Sequence, residues 1–324
     1  MKKRVGVLSS LVVVLFLLLL LTSCTSRAPA GDRPQDIAAA LKAVQTGTQG
    51  VVLSVLPNYP PPLLYDQNEF LSLVEVRNRG NFDLDAQSCF VQMIGFDPNI
   101  ITGTANVPHS CAENIGTLEG KNVYNTEGGS NEVEFFSSNV NLPDGVFEYK
   151  PTLTFLACYN YRTRAAAAVC VDPQLYQISS EQRTCTPKDV SLAGGQGAPV
   201  GVSYVGVDMV TGRGQSRAIF EINIVNQGGG KVLSPTADIR SCATTGLQFN
   251  DLDRVQYNVQ LSGGSLVSCK PLDGLVRLHN NQGKVVCTFD VTGSTAFETP
   301  LLVELDYGYI DSIQKQINII KTPQ

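Results

Sequence analysis

Tryptophan is absent from this 324-residue sequence, histidine occurs only twice, and charged residues make up just 16% of it. Without tryptophan the chain lacks the strongest aromatic platform for stacking a sugar ring. Basic residues are the minority, 24 Lys and Arg against 29 Asp and Glu, and no basic run is interleaved with aromatics. A formal charge of −5, more acidic still without Lys2, Lys3 and Arg4, gives no electrostatic basis for holding phosphate backbones. Nucleic acid is therefore not an expected partner. The signatures G-x-S-x-G, H-E-x-x-H and the P-loop are missing too. His109, in V-P-H-S-C, and His279, in L-H-N-N-Q, stand in loop-like sequence, where neither motif also places a nucleophile and an orienting carboxylate. No C-x-x-C spacing argues for zinc. Asp83 with Asp85, and Asp251 with Asp253, do not supply the alternating oxygen ligands of a calcium loop. No cofactor is expected.

A hydrophobic content of 43% is ordinary for packed cores, and the length suffices for two domains. At the N-terminus Lys2, Lys3 and Arg4 precede an uncharged run from Val5 to Leu21, the arrangement of an export signal. Then comes L-T-S-C, Leu21 to Cys24, which resembles the lipobox of prokaryotic lipoproteins. That resemblance implies lipidation of Cys24 and cleavage before it, so residues 1–24 are read as a signal peptide. The alternative is an uncleaved signal anchor, since 17 uncharged residues approach the length that spans a bilayer. Either reading places the bulk of the chain outside the cytoplasmic membrane, with the membrane itself as one partner. Residues 25–49 are read as a tether with a short helix in Q-D-I-A-A-A-L-K-A-V-Q.

The remainder carries a repeat. Ala218, Phe220, Ile222 and Ile224 alternate with polar residues, the period-two pattern of a strand with one buried face, and the run breaks at N-Q-G-G-G. A near echo stands 148 positions earlier, where Val74, Val76, Asn78 and Gly80 match Ile222, Ile224, Asn226 and Gly228. Glycine accepts positive φ and asparagine tolerates the left-handed region, so these residues are expected to turn the chain. A second landmark shares the offset. L-T-F-L-A-C-Y-N-Y, from Leu153, corresponds to L-L-V-E-L-D-Y-G-Y, from Leu301, with Asn78 to Tyr159 and Asn226 to Tyr307 both 81 residues apart. Two landmarks at one offset predict an internal duplication. Copy one is assigned to residues 50–172 and copy two to 199–321, with 173–198 as a linker. Tyr159, Tyr161, Tyr307 and Tyr309 are expected to pack in the core with their hydroxyls at its rim.

Short strands between Gly, Asn and Pro clusters in copies of about 120 residues predict an all-β chain of two tandem β-sandwiches. The N-x-G after an alternating strand, with G-T-L-E-G-K and E-V-E-F-F in copy one and V-N-Q-G-G-G in copy two, resembles the CARDB-type immunoglobulin-like domains of bacterial and archaeal surface proteins. The resemblance implies an adhesive or spacer role toward an unidentified surface protein or polysaccharide, without naming the ligand. An extracellular hydrolase, or the accessory subunit of one, is the competing expectation.

Eight cysteines besides Cys24, in an exported chain, predict disulfides. Cys158 and Cys170 are expected opposite each other on two strands joined through R-T-R-A, which leaves Cys89 for Cys111. Cys269 and Cys287 flank an expected hairpin and are paired. Cys185 is then assigned to Cys242, pinning the linker to copy two. The alternative keeps Cys185 within copy one, with Cys170 as a partner.

Overall fold

A computed structural model describes residues 34–176, 183–211, 216–240 and 247–322. Cys24 with its lipobox, and Cys242, lie outside the described residues. The chain divides into two compact units, Met1–Ala39 and Ala40–Gln324. Among the described residues one α-helix, α1 (Pro34–Gln45), precedes the strands, and none is long and apolar enough to cross a membrane.

The first half of the chain forms β1 (Val51–Val55), β2 (Leu63–Tyr65), β3 (Phe70–Asn78), β4 (Leu84–Asp85) and β5 (Cys89–Ile94). It continues with β6 (His109–Ser110), β7 (Thr117–Leu118), β8 (Ser130–Ser137), β9 (Glu148–Tyr149) and β10 (Thr152–Val171). The second half forms β11 (Val190–Ser191), β12 (Val200–Thr211), β13 (Ser216–Asn226), β14 (Lys231–Leu233) and β15 (Arg254–Leu261). The last strands are β16 (Gly264–Lys270), β17 (Leu275–Arg277), β18 (Gln282–Val291), β19 (Phe297–Gln316) and β20 (Asn318–Ile320).

The fold is all-β, and alternation explains why. In β3 and β13 every second residue is buried, so one face of each strand supplies apolar side chains to a shared core while the other meets partly exposed surroundings. β3 sits between β1 and β8, with Val74 opposite Val133. β13 sits between β12 and β18, with Ile222 opposite Val285. Across the core from these lies a long sheet in the order β17-β15-β19-β10-β5-β6, with β14 also on β19. Phe135 of β8 meets Phe155 of β10 with ring centroids 5.6 Å apart, one point where the two layers interlock. The Ser262–Gly263 turn joins β15 to β16, as S-G-G-S suggests, with Gly263 at φ +81°.

The two copies meet within the long sheet. β10 and β19 pair antiparallel over all twenty residues of each, from Thr152↔Gln316 to Val171↔Phe297. Asn160 faces Gly308, its own counterpart 148 positions on, and Tyr159 faces Tyr309 while Tyr161 faces Tyr307. Such a register exchanges the copies, as a local two-fold axis through Asn160 and Gly308 would do. Copy two also returns to copy one at its end, where β20 lies between β2 and β9.

This architecture corrects the expected hairpin at R-T-R-A. Residues 152–171 are one continuous strand, because R-T-R-A offers no Gly, Asn, Asp or Pro to reverse the chain and β19 pairs with it throughout. Cys158 and Cys170 therefore stand roughly 40 Å apart along a single strand, beyond any disulfide. Cys170 bonds Cys185 instead, with Cα atoms 5.9 Å apart, which also overturns the assignment of Cys185 to Cys242. Cys158 is itself disulfide-bonded. Cys89 bonds Cys111 at 5.3 Å between Cα atoms, and Cys269 bonds Cys287 at 4.1 Å. The latter two face each other on adjacent strands β16 and β18, which are not consecutive, so the expected hairpin is absent while the pair is present. The three disulfides between described residues fit a chain that folds in an oxidising compartment outside the cytoplasm.

Candidate functional site

The junction of the copies concentrates the unusual chemistry. Alternation along β10 and β19 turns Tyr159, Tyr161, Tyr307 and Tyr309 to the same buried face, and none is more than 2% exposed. Their rings form a closed set: Tyr159 lies 5.6 Å from Tyr161 and 5.7 Å from Tyr309, and Tyr307 lies 6.4 Å from Tyr161 and 6.3 Å from Tyr309. The hydroxyls do not reach the rim as expected. Each is held inside by hydrogen bonds, the condition for burying a phenol.

The bonding repeats with the chain. Tyr161 donates to Asn78 Oδ1 at 3.0 Å and accepts from the Phe82 N–H at 3.2 Å. Tyr309 donates to Asn226 Oδ1 at 2.9 Å and accepts from the Gly230 N–H at 3.0 Å. Each asparagine also accepts from the N–H of Gly80 or Gly228, both at 3.2 Å, and its amide donates to the carbonyl of Phe82 or Gly230. One asparagine thus closes its own turn and anchors a tyrosine 83 residues on. The glycines have a different reason from the one expected, since neither Gly80 nor Gly228 has positive φ. A Cβ on Gly80 would lie 1.9 Å from Tyr161 Oη, and one on Gly228 would lie 2.3 Å from Tyr309 Oη. Close approach of the phenol excludes a side chain at both positions.

The second tyrosine pair crosses between copies. Tyr159 accepts from the Val51 N–H at 3.1 Å and donates to Asp311 Oδ2 at 2.9 Å. Tyr307 accepts from the Val200 N–H at 3.3 Å and shares a 2.9 Å bond with Thr163 Oγ1. Thr163 and Asp311 are counterparts in the repeat, so the symmetry of the cluster breaks at one place, where a carboxylate replaces a hydroxyl. Burial raises the pKa of all four phenols and of Asp311, the tyrosine hydrogen bond opposing the shift at Asp311. The phenols stay protonated and act as fixed donors and acceptors. A cavity of about 300 Å³ opens beside Asp311, lined also by Val51, Leu53, Gly229 and Ile313.

The other candidate residues are not assembled into a catalytic set. His109 pairs in β6 with Val91, meets the Phe135 ring edge-on at 5.1 Å, and has Nδ1 3.3 Å from Glu113 Oε2. His279 sits in copy two at a tight turn closed with Gln282, where Asn280 and Asn281 both have positive φ. It borders a cleft of about 650 Å³ together with Ser203, Arg277 and Lys284, whose lining contains no carboxylate. Asp83 accepts from the Gly120 N–H, Asp85 from the Gln87 N–H and Asp251 from the Gln248 N–H, so these carboxylates hold loop backbone. Among the described residues no group of three or more His, Cys, Asp and Glu side chains is placed to hold a metal. Sequence reasoning missed Asp311 and Thr163; their shared offset of 148 was the available signal.

No family model and no curated protein matches the chain. Among solved structures, the secreted serine protease VesC from Vibrio cholerae is similar at 13% identity with a TM-score of 0.17. That alignment takes in 85% of this chain and spans about half, 52%, of the other. At this score the likeness carries no argument about fold or activity.

Proposed function

We propose that this protein is a non-enzymatic cell-surface module, exported and lipid-anchored through Cys24, that presents two immunoglobulin-like units of CARDB type for binding or structural placement. The observation that carries the reading is the junction of the copies. Twenty residue pairs join β10 to β19, and two buried side-chain pairs bond across from one copy to the other, Tyr159 with Asp311 and Tyr307 with Thr163. A site so occupied acts as a rivet. The double unit it produces is stiff, suited to holding surfaces at a fixed distance from the membrane. The lipobox L-T-S-C supports anchoring, and the disulfides support residence outside the cytoplasm.

Two measurements on the full chain test this. Expressed in a bacterial host, it should partition into detergent and carry a diacylglyceryl mass on Cys24, and Cys24→Ser should leave an unlipidated precursor. A native protein with its initiator end intact and no lipid would refute anchoring. Peptidase or glycosidase activity that disappears in His109→Ala or His279→Ala would refute the non-enzymatic reading in favour of a hydrolase.

A further inference from the structure

The repeat supplies an internal control for every strand edge. In copy two, the outer edge of β12 is covered by the segment that precedes it. β11 pairs Val190 with Val205 and Ser191 with Tyr204, and the Leu192 N–H bonds the Ser203 carbonyl at 2.9 Å. Further along, the Gln196 side-chain amide accepts from the Val202 N–H at 2.9 Å and donates to the Val202 carbonyl at 3.1 Å. Asp189 takes the Val207 N–H at 3.0 Å. Residues 189–196 therefore act as an added strand with polar caps.

β1 is the counterpart of β12, and its edge is open. β1 ends its sheet, paired only with β3 among the described residues. The Arg79 N–H bonds the Gly50 carbonyl and the Leu56 N–H bonds the Leu73 carbonyl, so the even positions bond toward β3. The odd positions, Val51, Leu53 and Val55, then point their backbone groups outward. Tyr159 takes the Val51 N–H. Leu53 and Val55 pair with Val76 and Val74 as Val202 and Val205 pair with Ile224 and Ile222, so by register they are the positions that residues 189–196 satisfy in copy two. Beside this edge lies the 300 Å³ cavity, and Asp311 is its one charged lining residue.

We propose that the β1 edge and this cavity bind an extended peptide of a partner protein, added antiparallel to β1 as a further strand, with a Lys or Arg side chain directed at Asp311. The backbone of such a peptide meets Leu53 and Val55 as β11 and Gln196 meet Val205 and Val202, which is strand addition to an exposed sheet edge. Two apolar residues one apart, like Val190 and Leu192, face the core. The basic residue falls about four positions later, where Gln196 falls in copy two, and this places it at the mouth of the cavity. Charge complementarity selects its sign, because Thr163, the counterpart of Asp311, is neutral and its side of the junction is already filled by the chain. The proposal gives the binding reading above a site and a ligand class, and rests on that reading; the lipid and hydrolase measurements are independent of it.

The test uses two end-blocked heptapeptides, V-S-L-A-G-G-K and V-S-L-A-G-G-E, titrated into the full chain with amide hydrogen exchange as readout. The expected result is saturable binding of the lysine peptide, with new protection at Leu53 and Val55, and affinity at least about tenfold weaker for the glutamate peptide. Asp311→Thr should weaken the lysine peptide about tenfold and close the gap between the two. If that variant fails to fold, the two peptides on the unaltered chain still decide. Absence of binding at millimolar peptide, equal affinities, or protection instead at another sheet edge, Leu266 and Val267 of β16, would overturn the proposal. So would protection of Leu53 and Val55 without peptide together with a doubled mass, which would assign the edge to a second copy of the chain.

Discussion

Replacing Gly80 with alanine tests the tyrosine anchor most directly. An added Cβ would stand 1.9 Å from Tyr161 Oη and 2.8 Å from the Gly197 carbonyl oxygen, so the phenol must move. Tyr161 is 2% exposed and cannot exchange its partners for water. Displacement strands its hydroxyl and the Phe82 N–H, while Asn78 Oδ1 keeps only the Gly80 N–H. Each buried polar group left unsatisfied costs about 1–3 kcal/mol, so the substitution should destabilise by about 3–5 kcal/mol. The opposing gain, from a less flexible unfolded chain, is only about 0.4–1 kcal/mol. Gly229→Ala is the control, because nothing lies within 4 Å of its Cβ position, and it should stay within about 0.5 kcal/mol of the parent. Urea unfolding followed by tyrosine fluorescence and far-UV circular dichroism supplies both values. A Gly80→Ala protein within about 1 kcal/mol of the parent, with an unchanged m-value, would show that the phenol is not held as described. In a double-mutant cycle, Gly80→Ala with Tyr161→Phe should cost at least about 1 kcal/mol less than the sum of the single changes, since both break the same bonds.

Two further perturbations address the ends of the chain's long connections. Cys185→Ser with Cys170→Ser opens a loop of 15 residues and should lower stability by about 3 kcal/mol in non-reducing denaturation, with the β10–β19 amides still protected from exchange. Loss of that protection would mean the disulfide, rather than strand pairing, holds the junction. Asp66 is held down to about 2 by its hydrogen bond to Lys321, then by Thr322, against an ordinary 3.8. A depressed carboxylate contributes stability that is present above the unfolded value and is lost as pH falls through the folded one. The C-terminal strand β20 should therefore loosen between about pH 4 and pH 2, and Asp66→Asn should flatten that dependence. An identical acid limb in the variant, measured by exchange at Ile319 and Ile320, would refute the assignment.

What the sequence made legible was local. Alternation at Ala218 to Ile224 and at Leu153 to Tyr161 marked strands and their buried faces, because a period of two fixes the face whatever the neighbours. The Asn–Gly motif was also legible as a turn. Its tertiary role was not: the 81-residue spacing to Tyr159 and Tyr307 marked the duplication and carried no sign that the asparagines bond Tyr161 and Tyr309. All four tyrosines share one face, and only the depth at which each phenol meets the opposite layer selects its partner. Cys89–Cys111 and Cys269–Cys287 were legible, whereas the pairings of Cys158 and Cys185 failed for a related reason. Placing Cys158 against Cys170 needed a local hairpin, and nothing in R-T-R-A reports whether a strand ends or continues along a partner 148 residues away. That information lies in β19, where the matching length of uninterrupted strand is the only trace of the pairing.

The register of β10 on β19 carries a last consequence. Because Asn160 meets its own counterpart Gly308, the contact between the copies has the symmetry of a homodimer interface, closed here within one chain. Copy one with its flanking segments, residues 40–198, keeps the disulfides of Cys89 and of Cys185 but loses β19, β20 and the disulfide of Cys158. It then exposes a twenty-residue edge strand, with Leu153, Phe155, Tyr159 and Tyr161 along its buried face, an arrangement that invites pairing. The symmetric solution sets β10 against β10 of a second molecule with Asn160 at the axis and Tyr159 facing Tyr161. Thr163 would then stand on both sides where the full chain has Thr163 and Asp311, so no buried carboxylate opposes association. The fragment should run as a dimer or larger species in light scattering at micromolar concentration, and Tyr161→Arg should prevent that association, since an unpaired buried charge costs several kcal/mol. A monomeric fragment with protected β10 amides would show that copy one completes its own edge, and that the long pairing with β19 is not what makes the two copies one unit.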